Sequence, residues 1–176
     1  MTPTPIRIPV RTSLRPVLAC LLVAAALVAC DARRIEKLQE GESTEADVRQ
    51  QFGEPKLIVE KADGSKVLEY PRQPAGWTNY AIVIGPDGRL VALRQLLTPA
   101  NFAEVAPGMA RLDVRSRLGE PARERQYAMK PDETVWQWRF VDHNRKKVFS
   151  VTFDRDRRVL STETAEDSDE VNFGGK

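Results

Sequence analysis

The sequence has few of the residues that most often carry enzyme chemistry. Its 176 residues include two cysteines, Cys20 and Cys30, and one histidine, His143. His143 stands in the turn-like segment DHNRKK, where a histidine is more often a solvated turn residue than a catalytic base. Paired carboxylates, metal-ligand clusters and nucleophile motifs do not stand out either. These absences predict a protein that is not an enzyme, has no cofactor or metal, and takes no small-molecule substrate.

A long hydrophobic run is also missing. The main apolar segment, residues 17–28, is shorter than the ~20 residues that a membrane-spanning helix needs. It follows a leader with Arg7, Arg11 and Arg15 and no acidic residue, a combination typical of a secretory signal peptide. We therefore predict a signal peptide over residues 1–29.

The end of this segment, Leu27-Val28-Ala29-Cys30, resembles a bacterial lipobox. The resemblance implies cleavage before Cys30, diacylglycerol on its sulfur and acylation of the new amine. The only covalent group expected is then this lipid, which anchors the chain to a membrane. The alternative is an ordinary signal peptide with a chance cysteine at its small-residue cleavage site.

Neither sign of charge is in excess. Cleavage would remove three of the 27 basic residues and none of the 25 acidic ones, which leaves 24 against 25 and a net charge near −1. Such a chain has no long-range attraction to a phosphate backbone, so no nucleic-acid partner is expected. It would also retain one cysteine, Cys30, which excludes a disulfide within the mature chain.

What the sequence does contain is a repeat. The segment ADVRQQFGEPK at residues 46–56 aligns without a gap on LDVRSRLGEPA at residues 112–122, and the parts on either side follow in the same order at offsets of 66 to 69. We predict two copies of one unit, at residues 30–98 and 99–164, followed by an acidic flexible tail at 165–176.

Each copy contains a helix with a defined stop. In the first copy, Thr44 is the predicted N-cap with Asp47 as its capping-box partner. Gly53 supplies the left-handed residue that ends the helix, and Pro55 prevents its resumption. Gly119 and Pro121 repeat this stop in the second copy, where Ala110 replaces the cap.

Shorter helices at about 32–39 and 101–105 are predicted before turns at Gly41 and Gly108. After each stop, apolar and polar residues alternate as in half-buried antiparallel strands. The predicted fold class is therefore α+β: two tandem two-layer units, each a helix pair packed on a three- or four-stranded antiparallel sheet.

The second copy resembles a known family, the SmpA/OmlA or BamE-like outer-membrane lipoproteins. The resemblance consists of a lipobox and a helix-stop motif followed by an aromatic strand and an F-D hairpin, at Val105, Gly108, Met109, Val114, Leu118, Gly119, Pro121, Trp136, Trp138, Phe140, Phe153 and Asp154. The first copy departs from the motif by one extra residue and by Glu42 in place of Met. More distantly, two tandem copies resemble the β-lactamase inhibitory protein, whose disulfides are absent here.

The resemblance implies a function and a location. Members of the family are small accessory subunits of the β-barrel assembly machinery and face the periplasm from the outer membrane. A similar role in outer-membrane assembly or envelope integrity is expected here. The alternative is a lipid-tethered binder or inhibitor of a periplasmic protein that uses its sheet faces. Asp31 keeps inner-membrane retention open, because Asp after the lipidated cysteine is a retention signal in enteric bacteria.

Two sets of residues are candidates for partner contact. Trp77 and Tyr80 lie in the Pro/Gly-rich segment PRQPAGWTNY, and exposed aromatic residues are favoured contact anchors. The alternative is that this loop folds back onto one end of the sheet. Arg145, Lys146 and Lys147 lie at a predicted hairpin turn and would form a patch for anionic lipid or an acidic partner, unless they are simply solvated.

Overall fold

Two four-stranded antiparallel sheets dominate the structure, a computed structural model that describes residues 33–168. The first sheet contains β1 (Leu57–Glu60), β2 (Lys66–Pro71), β3 (Asn79–Ile84) and β4 (Leu90–Gln95). The second contains β5 (Arg123–Tyr127), β6 (Lys130–Asp142), β7 (Arg145–Phe153) and β8 (Val159–Glu166). Consecutive strands are neighbours in both sheets. Three helices accompany them: α1 (Glu45–Phe52), α2 (Pro99–Ala103) and α3 (Arg111–Leu118).

The chain divides into two compact units, one ending at Leu38 and the other beginning at Gln39. In the first unit, the described residues include one helical turn at 33–35. The second unit contains both sheets and all three helices.

This architecture corrects the predicted α+β class with a helix pair on each sheet. The structure is 18% helical and 45% strand. Within the described residues, the helix expected at 32–39 ends at residue 35, and the one expected at 101–105 lies at Pro99–Ala103 as the five-residue α2. A helix as short as α2 gains little from its own hydrogen bonds. Eight residues of helix span ~12 Å, whereas the 13 residues of β6 span ~43 Å, so the strands are the main elements of the fold.

Helix α1 begins as its sequence predicts. The Thr44 hydroxyl accepts a hydrogen bond from the Asp47 N–H at 3.3 Å, and the Asp47 carboxylate accepts one from the Thr44 N–H at 2.8 Å. This completed capping box satisfies two helix-terminal donors, and the bond from the Thr44 N–H lowers the pKa of Asp47. Ala110 gives α3 no side-chain cap, also as predicted.

Gly53 and Gly119 end α1 and α3 with the same backbone conformation. Their φ and ψ angles are 81° and −162° for Gly53, and 74° and −165° for Gly119. The positive φ matches the prediction, but ψ places both residues in a more extended region that is essentially restricted to glycine. Each carbonyl accepts a core hydrogen bond of 3.1 Å, from the Tyr70 hydroxyl to Gly53 and from the Trp138 indole N–H to Gly119. The stop is therefore fixed by the backbone and by the core together.

Gly41 and Gly108 connect the start of each copy to its last hairpin. Their φ angles are 82° and 85°, which glycine adopts without a side-chain penalty. The Gly41 N–H donates to the Leu90 carbonyl at 2.7 Å, and the Gly108 N–H donates to the Val159 carbonyl at 2.8 Å. Each copy thus forms the same long-range backbone hydrogen bond within itself, in addition to the repeated sequence.

Each sheet has a helix-side face and an outer face. On the helix-side face of the first sheet, Phe52 of α1 packs against the rings of Tyr70 and Tyr80 at centroid distances of 5.3 and 5.5 Å. The corresponding face of the second sheet belongs to one buried cluster, whose members are Leu97, Phe102, Val105, Val114, Leu118, Trp136, Trp138, Phe140, Phe149, Val151, Phe153 and Val159. Alternation then places Gln137 of β6 and Ser150 of β7 on the outer face.

The end of the second copy corrects the predicted tail. Strand β8 continues to Glu166, and the Asp167 N–H donates to the Lys146 carbonyl at 3.0 Å. The Asp167 side chain is 1% exposed and accepts a hydrogen bond from Arg139 Nε at 2.6 Å. A buried, paired carboxylate holds this segment, so the tail predicted from residue 165 starts too early. Residues 169–176 lie outside the described part of the chain.

Candidate functional site

A segment of the first copy, residues 71–79, contacts the second copy and is called the bridging segment below. Its Trp77 ring lies beside two cations of the second copy. The Arg139 guanidinium carbon is 4.9 Å from the ring centroid, and the Lys146 ammonium nitrogen is 4.6 Å from it. Cation–π contacts of this kind are worth ~0.5–2 kcal/mol each. Trp77 is half-buried, so the two copies share this aromatic ring.

Gln73 of the bridging segment binds the backbone of β6. Its amide nitrogen donates to the Arg139 carbonyl at 2.8 Å, and its amide oxygen accepts from the Arg139 N–H at 3.2 Å. The Arg139 side chain returns a hydrogen bond to the Pro74 carbonyl at 3.1 Å. A glutamine thereby satisfies both backbone groups of a strand residue in the other copy.

Asn79 fixes the other end of the bridging segment. Its side chain is buried, and its amide nitrogen donates to the carbonyls of Leu118 and Glu120, both at 2.8 Å. These two residues flank the helix stop at Gly119. A Cβ at Gly119 would lie 2.9 Å from the Asn79 amide nitrogen, so the stop glycine also permits this close approach. An ion pair between Arg115 of α3 and Glu69 of β2, at 2.9 Å, lies at the same junction.

The outer face of the second sheet carries a groove of about 240 Å³. Its lining is mainly polar and includes Arg123, Arg125, Gln137, Ser150, Glu163 and Glu166. The strand register places Arg123, Gln137, Ser150 and Glu163 in one row across all four strands. At ~4.8 Å per strand, this row is ~14 Å long.

Charge is distributed unevenly along the groove. Its β5 side has Arg123 and Arg125, its β8 side has Glu163 and Glu166, and Gln137 and Ser150 lie between them. The Gln137 amide nitrogen donates to the Ser150 hydroxyl at 3.2 Å. The Arg125 side chain forms no hydrogen bond or ion pair within residues 33–168, whereas Glu166 is paired with Arg145 at 2.7 Å. The arrangement can bind a polar ligand that has a negative charge toward β5.

The predicted aromatic contact residues have different environments. Trp77 is half-buried and lies against Arg139 and Lys146 of the second copy. Tyr80 is 6% exposed and packs against Phe52, so the expected exposure of Tyr80 is wrong. The reason is that Tyr80 lies on β3 with its side chain on the helix-side face, between the two outer-face residues Asn79 and Ala81. Whether Trp77 also contacts a partner stays a prediction.

The predicted basic patch is paired within the molecule. Arg145 is bonded to Glu166, Lys146 lies over Trp77, and Lys147 Nζ is 2.6 Å from an Asp142 carboxylate oxygen. The hydrogen bond from Lys147 lowers the pKa of the Asp142 carboxyl. Because each cation has a neighbour of its own, this turn has less free positive charge than its sequence indicates. Binding of anionic lipid or an acidic partner by these residues stays a prediction.

The remaining predictions concern catalysis, metal binding and the membrane anchor. Cys30 lies outside the described residues. His143 is exposed in a tight turn with φ 45°, and its Nδ1 is 2.8 Å from the Asp142 carboxylate. Between residues 33 and 168, His, Cys, Asp and Glu form no group of three that could hold a metal ion. Within the same range, no helix has the length and apolar character required to cross a membrane.

The sequence predictions missed the residues of the groove and of the junction between the copies. A signal for the groove was available, because Gln137 alternates with Trp136 and Trp138 on β6, and Ser150 alternates with buried residues on β7. The contacts of Gln73 and Asn79 have no such local signal. They depend on residues at least 39 positions further along the chain.

Comparison with known proteins adds two distant likenesses. No protein-family model and no curated protein sequence matches this chain. A DUF4309 family protein (YjgB) from Bacillus subtilis subsp. subtilis str. 168 is 18% identical over 74% of this chain and 82% of its own, with a TM-score of 0.29. An extracellular protein containing a SCP domain from Bacillus anthracis str. Ames is 12% identical over 78% of this chain and 47% of its own, also with a TM-score of 0.29. Likeness at this level carries no argument about fold or function.

Proposed function

We propose that this chain is a non-enzymatic lipoprotein of the bacterial envelope that acts by binding other proteins. The proposed role is that of an accessory in outer-membrane β-barrel protein assembly or in envelope integrity. A lipid on Cys30 would hold the chain at the periplasmic side of the outer membrane. Asp31 leaves the inner membrane as the alternative site of anchoring.

The groove on the outer face of the second sheet is the observation that carries the binding role. It has opposite charges on its two sides and a neutral polar floor at Gln137 and Ser150. Shape and complementary charge of this kind provide specificity for a protein partner. The bridging segment fixes the neighbouring part of the same face through Arg139, so the groove is held in place without a ligand.

The lipobox and the repeated helix-stop motif support the envelope role. They are the features shared with SmpA/OmlA-like lipoproteins, and the second copy has the fuller motif. An experiment that identifies the partner tests the assembly role.

Site-specific photo-crosslinking in living cells tests the proposal. A crosslinking amino acid replaces Ser150 in the groove floor, and the matched control replaces Leu112, which is 76% exposed on α3. We expect crosslinks from Ser150 to subunits of the β-barrel assembly machinery and none from Leu112. In a Cys30→Ser background the crosslinks should be lost, because the chain is no longer held at the membrane.

A lipid-tethered binder of a soluble periplasmic protein is the second candidate, favoured by the position of the groove on a sheet face. Crosslinks from Ser150 to one soluble protein would support it over the assembly role. Equal crosslinking from Ser150 and Leu112, or none from Ser150, would contradict both candidates.

A further inference from the structure

The four edge strands of the two sheets differ in what covers them. Strand β1 is only four residues long, and the β4 edge is covered where the Leu93 N–H donates to the Glu40 carboxylate at 3.2 Å. Strand β8 is exposed and acidic, with Glu163 and Glu166. Strand β5 is exposed at all five of its positions. Within residues 33–168, its backbone makes no hydrogen bond outside the ladder with β6.

Positive charge distinguishes the β5 edge. Arg123 and Arg125 are two residues apart, so their side chains are on the same face of the strand, ~7 Å from each other. Both line the groove. Arg123 already has an interaction within the molecule, whereas the Arg125 side chain has none within the described residues. An exposed edge with unpaired backbone groups is a template for another strand, and side chains on alternate positions select which one.

We propose that β5 accepts an added strand from an extended, acidic segment of a partner protein. The backbone of that segment would pair with the outer edge of β5 and extend the second sheet to five strands. Acidic side chains at alternate positions would face Arg125 and Arg123 beside the groove. This inference rests on the proposed protein-binding function and specifies the chemistry of the partner.

The two exposed edges of this sheet, β5 and β8, differ in charge. An acidic segment added to β8 with its carboxylates on the outer face would place them beside Glu163, and neighbouring like charges destabilise a strand pair. The same segment on β5 gains charge-assisted contacts from the two arginines. We therefore assign the acidic segment to β5.

The experiment uses the full chain purified in detergent and three fluorescent seven-residue peptides. TETETET alternates threonine with glutamate, TKTKTKT replaces each glutamate by lysine, and TEPEPET keeps the glutamates but loses two backbone N–H donors to proline. We expect fluorescence anisotropy to show the tightest binding for TETETET, with the other two at least about tenfold weaker. Hydrogen exchange should slow at the backbone amides of β5 when TETETET is bound.

An Arg125→Glu variant should bind TETETET at least about tenfold more weakly and should prefer TKTKTKT. The control is Arg155→Glu, which changes another exposed arginine of the second copy, in the β7–β8 turn, and should leave both affinities unchanged. Equal binding of TETETET and TEPEPET would overturn strand addition, because charge alone would then explain the affinity. Unchanged affinity in Arg125→Glu would overturn the assignment to β5.

The two proposals fail in distinguishable ways. If acidic peptides do not bind but Ser150 still crosslinks to an envelope protein, strand addition at β5 is wrong and the binding function stands. If TETETET binds as expected but Ser150 crosslinks to nothing, the β5 edge accepts strands and the groove is not the site of the partner.

Discussion

The two copies keep the same turns and helix stops but differ in the loops between their strands. The connection between β2 and β3 is a bridging segment that reaches the other copy. The equivalent connection between β6 and β7 is a tight turn at His143 and Asn144, with φ of 45° and 63°. The side chains of this contact therefore come from the first copy, and they bind backbone groups of the second copy.

This difference shows which parts of a repeat are free to diverge. The Gly41 and Gly108 N–H groups bind carbonyls of buried residues, and the Gly53 and Gly119 carbonyls accept hydrogen bonds from core side chains, so a change there has a direct energetic cost. Loops between strands have no such constraint. One of these loops contributes contacts that join the two copies, while the outer face of the second sheet keeps its groove.

The largest expected effect compares the two helix stops. Gly119→Ala and Gly53→Ala place the same side chain in nearly the same backbone conformation, at a shared cost of ~1–3 kcal/mol. At Gly119 the new Cβ also displaces the Asn79 amide, which leaves the buried Leu118 carbonyl and the partly buried Glu120 carbonyl without their donor and adds ~1–3 kcal/mol. A Cβ added at Gly53 would meet no other part of the described structure within 4 Å. Urea unfolding should show the larger loss for Gly119→Ala; equal losses would mean that the copies do not meet at this stop.

The side chains that donate to the Gly53 and Gly119 carbonyls, Tyr70 and Trp138, make stability depend on pH in different ways. Burial raises the pKa of Tyr70 to about 12 from 10.0, so the folded state favours the protonated phenol. The stability that the protonated Tyr70 gives the folded state is fully present below pH 10 and is lost as the pH rises through 12. The loss in the free energy of unfolding is ~2–3 kcal/mol. Trp138, at the equivalent position, does not titrate. Thermal unfolding between pH 10 and 12 should therefore be less pH-dependent in Tyr70→Phe than in the wild type, and identical slopes would contradict the buried hydroxyl.

The smallest expected effect concerns the last hairpin of each copy. Arg157 has φ 61° where the first copy has Gly88 with φ 79°. Each carbonyl accepts a hydrogen bond from the first residue of the long helix in its own copy, Arg111 for Arg157 and Glu45 for Gly88. Replacing Arg157 by glycine relieves ~1–2 kcal/mol of backbone strain in the folded state. The greater conformational freedom of glycine in the unfolded chain offsets part of this gain. We expect Arg157→Gly to raise stability by about 0.5–1 kcal/mol, and Gly88→Ala to lower it. A loss of stability in Arg157→Gly would mean that its side chain makes a stronger contact than the strain it causes.

Local rules explain what could be predicted from the sequence. The capping box at Thr44 and the positive φ at Gly53 and Gly119 depend on a few neighbouring residues, and they were predicted correctly. The bounds of the short helix before Gly108 were not, because tertiary packing decides where a helix of five residues begins and ends. Asp167 illustrates the same limit, since its partner Arg139 is 28 residues away.

The candidate site was harder to predict for a related reason. The position of Trp77 in a Pro/Gly-rich loop, where a large ring has few local neighbours, makes it a candidate contact residue. Its neighbours come from the other copy, at Arg139 and Lys146, and no sequence pattern connects them. The groove depends on the register of four strands, which places Arg123 and Glu163 at opposite ends of one row.

Calorimetry tests most directly whether the bridging segment makes the two copies one cooperative body. The wild type should unfold in a single transition whose calorimetric and van't Hoff enthalpies agree. The triple variant Gln73→Ala/Trp77→Ala/Asn79→Ala removes the hydrogen bonds to the Arg139 backbone, the shared ring and the two Asn79 hydrogen bonds, so its two copies should unfold in separate transitions. Two transitions in the wild type, or a single transition in the triple variant, would contradict the claim that residues 71–79 join the copies.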